Sequence, residues 1–371
     1  MREEFLTLLT GEPLEWQLTN EQRPCFGIAP VGEDWACIQL PRSKYDDYDT
    51  YMYLDGSLVR YVVIHGESVH QEYAVDETLS ADGMFILPKR STKPIKLTAA
   101  TLTKRKPIGM RLLWERKYGY CGLGNDSSGQ GFYSSLRAGD KLNTFADFQR
   151  WVEEWCAETT NADLQEITAF AARCPQTVKH HEGDVFRFRW NRRLWGYGRI
   201  LLDYDRMRRE KTPFFDCLMA KPLAVQIFKI VTEDRNLPVA EVLAAEVLPS
   251  MNMMDDALHY GEYEIIGSAP LPENRDALCP ILYGVGYSRD RLLRFQQGRV
   301  YRELPGMEPV SERGYMNSAV GRHPRVTLPL MQACLNEGDA AYWAAEVHYN
   351  RDLRNPAYAD DFAAIRKQIG I

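Results

Sequence analysis

Apolar and polar positions alternate most sharply over residues 183–202. Val185, Arg187 and Arg189 interleave with Phe186, Phe188 and Trp190, a period of two that marks a half-buried strand. Gly183 and Asp184 open the segment as turn residues, and Asn191, Arg192 and Arg193 follow as a short polar loop. A second apolar run then carries Tyr197 and Ile200, Leu201 and Leu202. Gly196 and Gly198 lie inside it, and glycine in a strand predicts a bulge or a close backbone approach because it packs no side chain of its own. The two runs read as a β-hairpin opening a barrel-like domain.

The first 140 residues carry the same signature repeatedly. Strands are expected at 26–29, 35–40, 50–54, 57–65, 67–75, 84–88 and 108–114. Asp55-Gly56 stands between two of them and is a strong two-residue turn signal. The glycine-rich stretch 119–131 has neither Walker spacing nor a Gly-x-Gly-x-x-Gly pattern, so it reads as a surface loop. At Asn143 the period changes. Thr144 suits a helix N-cap with Asp147 three residues on, and Phe145, Phe148, Val152 and Trp155 recur at helical spacing. A second helix is expected over 162–172, with Leu164, Ile167, Phe170 and Ala171 on one face. Beyond residue 267 the pattern predicts strands at 281–286 and 298–301 and helices at 328–335, 340–347 and 357–369.

The hairpin and the segments after it resemble the bacterial immunity protein 26 family, over about residues 181–287. The shared features are Gly183-Asp184-Val185-Phe186, a loop, then the aromatic Tyr197 with Gly198, Arg199 and the aliphatic pair Ile200-Leu201. A core strand at 222–230, a short helix at 237–243 and the strand Gly261-Glu262-Tyr263-Glu264-Ile265-Ile266-Gly267 fall in matching order. Tyr263 stands where tryptophan is common in that family. The resemblance implies a toxin-neutralising binding protein, and no catalytic motif travels with it.

The fold class expected is α+β: two domains with twisted, mainly antiparallel β-sheet or partly open barrel cores and flanking helices. Residues 1–140 form a β-rich N-terminal domain, 141–180 a helical connector, and 181–371 an immunity protein 26-like domain with C-terminal helices. A chain of 371 residues suffices for two such cores. With 45% apolar and 26% charged residues it has the composition of a globular protein. The N-terminal apolar run is too short and too acidic for a signal peptide, and no run approaches the length of a membrane span; the expected location is the cytoplasm. Eight dispersed cysteines, none in a Cys-x-x-Cys pair, read as reduced thiols. No metal site and no cofactor are expected.

Charge changes the picture more than composition does. The net charge is −6, yet residues 89–117 are strongly basic and residues 233–264 strongly acidic. One basic and one acidic surface are therefore expected. Signatures of hydrolases, metalloproteases, P-loop enzymes and kinases are missing from the sequence. Ser127-Ser128, Asp203 with Asp205, and Asp255 with Asp256 carry chemistry only if the fold supplies partners. The sequence therefore favours a non-enzyme whose candidate partner-binding residues are Asp255, Asp256, Tyr260, Glu262 and Glu264. The acids would steer a basic toxin, and tyrosines suit interface centres. Strand alternation leaves Tyr263 open between anchor and core. Two other readings stand: an enzyme with its site at the inter-domain cleft or the glycine-rich loop, and a nucleic-acid-binding regulator using residues 89–117.

Overall fold

The computed structural model describes residues 14–42, 46–90, 93–215, 218, 220–285, 292–310, 315, 321–345 and 352–370. Its helices and antiparallel sheets divide into two units, Met1–Gln176 and Thr177–Ile371, and the class is α+β. No sheet among the described residues closes into a barrel.

The first unit is built on one sheet of nine strands. Its main path is an antiparallel meander: β1 (Ala36–Leu40), β2 (Tyr48–Asp55), β3 (Leu58–Gly66), β4 (Val69–Leu79), β7 (Ile108–Glu115), β8 (Tyr120–Asn125) and β9 (Gln130–Ser134). The short strands β5 (Phe85–Leu87) and β6 (Ile95–Lys96) branch from β4. The expected hairpin forms with Asp55 paired to Leu58, which shifts the turn one residue onward to Gly56 and Ser57. Gly56 takes φ +67° there, a conformation that favours glycine.

Both sheet faces are covered. The helix Phe145–Ala157 lays Phe148, Trp151, Val152 and Trp155 against Leu112, Trp114, Leu123 and Phe132. Met52, Leu54, Val62, Ile64 and Val75 fill a second core. The helix starts where Thr144 predicts, since the Thr144 hydroxyl accepts the Asp147 N–H at 3.1 Å and the Asp147 carboxylate accepts the Thr144 N–H at 3.0 Å. Thr160 and Asp163 repeat that capping box before the helix Asn161–Ala171.

Two expectations in this unit are corrected. Residues 26–29 are not a strand. A 3-10 helix runs over Arg23–Phe26 and ends at Gly27 with φ +67°. Pro24 lacks an N–H for a strand ladder and fixes its own φ, and Gly27 turns the chain left-handed. The glycine-rich stretch is the hairpin of β8 and β9, not a surface loop. Cys121 and Leu123 are buried on it, and Asn125 ties it down. The Asn125 amide donates to the carbonyls of Phe170 and Ala171 at 3.0 Å and of Arg173 at 3.2 Å, while its oxygen accepts the Ser127 and Ser128 N–H groups.

The second unit holds a five-stranded antiparallel sheet in the order β13 (Met251–Met254), β12 (Pro222–Ile227), β11 (Trp195–Asp203), β10 (Asp184–Arg189), β14 (Glu264–Ser268). A three-stranded sheet follows: β15 (Ile281–Val285), β16 (Leu293–Gln297) and β17 (Val300–Leu304). Phe186, Phe188 and Trp190 enter one core, as period two requires, beside Tyr263 and the helix Leu328–Glu337. Phe186 pairs with Gly198, and Phe188 with Gly196.

Cys25, Cys37, Cys121, Cys156, Cys174, Cys279 and Cys334 are free thiols; Cys217 lies outside the described residues. No helix among the described residues is long and apolar enough to cross a membrane.

Candidate functional site

The second unit carries a polar cleft of about 620 Å³. One wall is the strip from Thr177 to Glu182 that leads into β10. The helix Tyr204–Arg209 that follows β11 contributes Asp205, Arg206 and Arg209, and Lys221, Asp255 and His259 close the far side. Local backbone bonds position each wall. Val178 N–H donates to the His259 carbonyl at 2.8 Å, which sets the strip beside the short helix Asp256–His259. The Asp255 N–H donates to the Lys221 carbonyl at 3.0 Å.

The fold thus gathers residues that adjacency alone left undecided. Asp203 caps its helix by accepting the Arg206 N–H at 2.9 Å and pairs with Arg209 at 3.2 Å. Asp205 pairs with Arg208 at 3.3 Å and Arg209 at 3.2 Å. These two acids are held by their own helix's arginines. Asp255 is buried, and burial pushes its carboxyl up despite the opposing charges of His180 and Lys221. Burial likewise pushes His180 down, and its Nδ1 has no hydrogen-bond partner among the described residues. No group of three or more His, Cys, Asp or Glu side chains among the described residues is arranged to hold a metal. What the cleft offers is an ionic recess of mixed sign, suited to charged groups of a partner.

The five candidate partner-binding residues do not share one face. Tyr260 is exposed at the end of the short helix, and Asp256 is half-buried at its start. Asp255 turns into the cleft. Glu262 is half-buried with its side chain turned inward, and it pairs with Arg322 at 2.9 Å and with His323 at 3.5 Å. Glu264 on β14 accepts two hydrogen bonds from Arg187 of β10, at 2.6 and 2.8 Å. Tyr263 is a core residue: its ring stacks 5.5 Å from Phe186 and 5.1 Å from Phe188, and its hydroxyl lies 3.1 Å from His323 Nδ1.

Sequence reading missed the convergence of His180, Lys221 and His259 on Asp255. They come from three separate segments, and the one local signal was the His180-His181 pair beside a turn. Among the basic residues of 89–117, Lys89 pairs with Asp76 at 3.1 Å and Arg111 with Asp126 at 2.8 Å. The Ser127 hydroxyl accepts the Gly109 N–H at 2.8 Å.

No curated protein and no solved structure matches the chain. Residues 181–291, from the turn before β10 to just beyond β15, match the family model described as Immunity protein 26.

Proposed function

We propose that this protein is a cytoplasmic immunity protein that neutralises a cognate bacterial toxin by binding it directly, without catalysis and without a cofactor. The observation that carries this reading is the family match over residues 181–291. The proposed division of labour places toxin capture in residues 181–371 and gives a separate role to the first unit, whose core the helices Phe145–Ala157 and Asn161–Ala171 help to fill.

Neutralisation has to outrun the toxin's own action, so a high association rate matters alongside affinity. Charge complementarity supplies it by steering encounter. The proposed binding face is the rim where Asp256 and Tyr260 flank the cleft lined by Asp255 and His259. Asp256 supplies charge at the edge, and Tyr260 supplies apolar area with a polar tip, the composition favoured at interface centres. Glu262 and Glu264 are engaged by Arg322 and Arg187 and are left out of the proposed face. The partner proposed for it is a protein that brings basic groups to Asp256 at this rim.

Immunity proteins are commonly encoded beside their toxins, so the reading is tested by expressing the products of neighbouring genes in a susceptible bacterium, each alone and with this chain. Restored growth together with co-purification at low salt is expected. Toxicity unrelieved by this chain, with no complex at any salt concentration, contradicts it.

A further inference from the structure

Asp255 stands at the N-cap position of the short helix Asp256–His259, where an aspartate usually accepts a hydrogen bond from the first turn. Its side chain makes no such bond. The backbone fixes the residue on both sides. The Asp255 N–H donates to the Lys221 carbonyl at 3.0 Å, and the Asp255 carbonyl accepts the Leu258 N–H at 2.9 Å and the His259 N–H at 2.8 Å. The carboxylate is thereby held in the wall of the polar cleft of the second unit. The residue is only 7% exposed, yet its carboxylate has no hydrogen-bond or ion-pair partner among the described residues.

The other carboxylates of the cleft are already matched. Glu182 takes Arg275 at 2.9 Å, Asp203 and Asp205 each take Arg209 at 3.2 Å, and Glu210 takes Arg206 at 2.8 Å. These pairs also occupy the cleft's own arginines. Lys221 reaches the cleft from an exposed position and forms no ion pair with Asp255. Burial pushes the His180 imidazole down, so at neutral pH it supplies no countercharge, and its Nδ1 has no partner either. A carboxylate at this depth is costly while it stays unpaired, and a charged donor that reaches it removes that cost.

Such a carboxylate calls for N–H donors that carry positive charge. A guanidinium presents its donors in a planar fork that a carboxylate accepts in pairs. It is also more weakly hydrated than an ammonium, so it loses less on entering a recess. A cleft of about 620 Å³ lies in the range that admits a small ligand. We propose that this cleft receives one arginine side chain of the partner, whose guanidinium pairs with Asp255. The proposal rests on the toxin-binding reading and sharpens it: Asp256 and Tyr260 form the rim, and Asp255 is the anion at the wall of the socket behind them.

The test uses the full chain and capped single residues, so it needs no toxin. Nα-acetyl-arginine methylamide and the corresponding derivatives of citrulline, lysine and glutamate are titrated by calorimetry and by ¹H–¹⁵N spectra of the backbone. The arginine derivative should bind saturably, at least about tenfold tighter than the citrulline derivative, which has the same shape without the charge. It should shift the amide resonances of His180, Asp255 and His259. Asp255→Asn keeps the side-chain shape and removes the charge, so it should weaken the arginine derivative about tenfold or more and leave the citrulline derivative unchanged. If that variant does not fold, the comparison of derivatives on the unaltered chain decides alone. No binding of the arginine derivative, equal binding of the citrulline, lysine or glutamate derivative, or shifts confined to amides outside the cleft overturns the proposal. Toxin neutralisation is scored separately by co-expression, so a chain that protects cells but binds no arginine derivative sinks this proposal and leaves that reading intact.

Discussion

A methyl group on Gly198 would lie 2.4 Å from Cζ of Phe186, its partner across the β10–β11 hairpin. Gly196 is equally closed, with Phe188 Cζ and Trp190 Nε1 each 2.6 Å from the same kind of added atom. The glycines are the floor on which three aromatic rings lie, and those rings begin the core of the second unit. Gly198→Ala should therefore destabilise the chain by about 1–3 kcal/mol through overpacking. Urea denaturation followed by tryptophan fluorescence measures this, and a midpoint equal to that of the unaltered chain would show that the rings have room to move.

Asn125 makes a similarly local prediction in the first unit. Its one side chain closes both the β8–β9 turn and the end of the helix Asn161–Ala171. Asn125→Asp replaces the amide donor with a carboxylate facing three carbonyl oxygens. The expected loss is about 2–4 kcal/mol, larger than for a single neutral hydrogen bond because buried acceptors are left unpaired against a charge. Asn125→Asp should also lose more stability than Asn125→Ala, and the reverse order would contradict this geometry.

The hairpin at 183–202 was legible because a strict period of two leaves one face for the core, and Thr144 was legible as a cap because the box is a local chemical match; Thr160 with Asp163 carries the same box but was passed over. The segment 119–131 was misread because its glycines signal a turn while Cys121 and Leu123 face a core supplied from elsewhere. The acidic run 255–264 looked like one surface. A short helix and a tight passage into β14 instead send Asp255 and Glu262 inward and Tyr260 outward. His65 and His70 are five residues apart, yet they face each other because β3 and β4 pair them directly. The His70-x-Glu72 spacing, which places both on one strand face, was the available signal for the buried cluster of His65, His70 and Glu72.

The same cluster gives stability a pH dependence. His65 is surrounded by His70, Glu72, Asp49 and Glu15, and its pKa falls from 6.5 to about 4 on folding, through burial first and His70 second. Between those values the unfolded chain binds a proton that the folded chain refuses. The unfolding free energy should therefore decrease as pH falls from about 6.5 toward 4 and be unaffected by this group above that range. Denaturation midpoints for the unaltered chain and His65→Phe should converge on acidification across this window. A constant difference between them would show that His65 titrates normally.

On the proposed toxin-binding face, Asp256→Lys and Tyr260→Ala should act on different rates. Charge reversal at the rim should slow association with a basic toxin, and the effect should shrink as salt is raised because exposed charges are screened beyond roughly 8 Å at physiological ionic strength. Loss of the Tyr260 ring should mainly speed dissociation. Asp255→Lys places a cation in the buried position beside His180 and Lys221, so it should lower stability before it alters encounter. Stopped-flow association at two salt concentrations separates these effects, and an Asp256→Lys on-rate unchanged at low salt would remove this rim from the interface.

Neutralisation by direct binding is decided most directly by mixing the purified chain with a purified bacterial toxin sought among the products of neighbouring genes and measuring complex formation and toxin activity in the same titration. Inhibition that reaches completion as the complex saturates, and that is lost in parallel with binding for Asp256→Lys and Tyr260→Ala, is the predicted result. A toxin that remains fully active in the presence of excess chain, or one that is inactivated by catalytic amounts of it, would contradict the assignment.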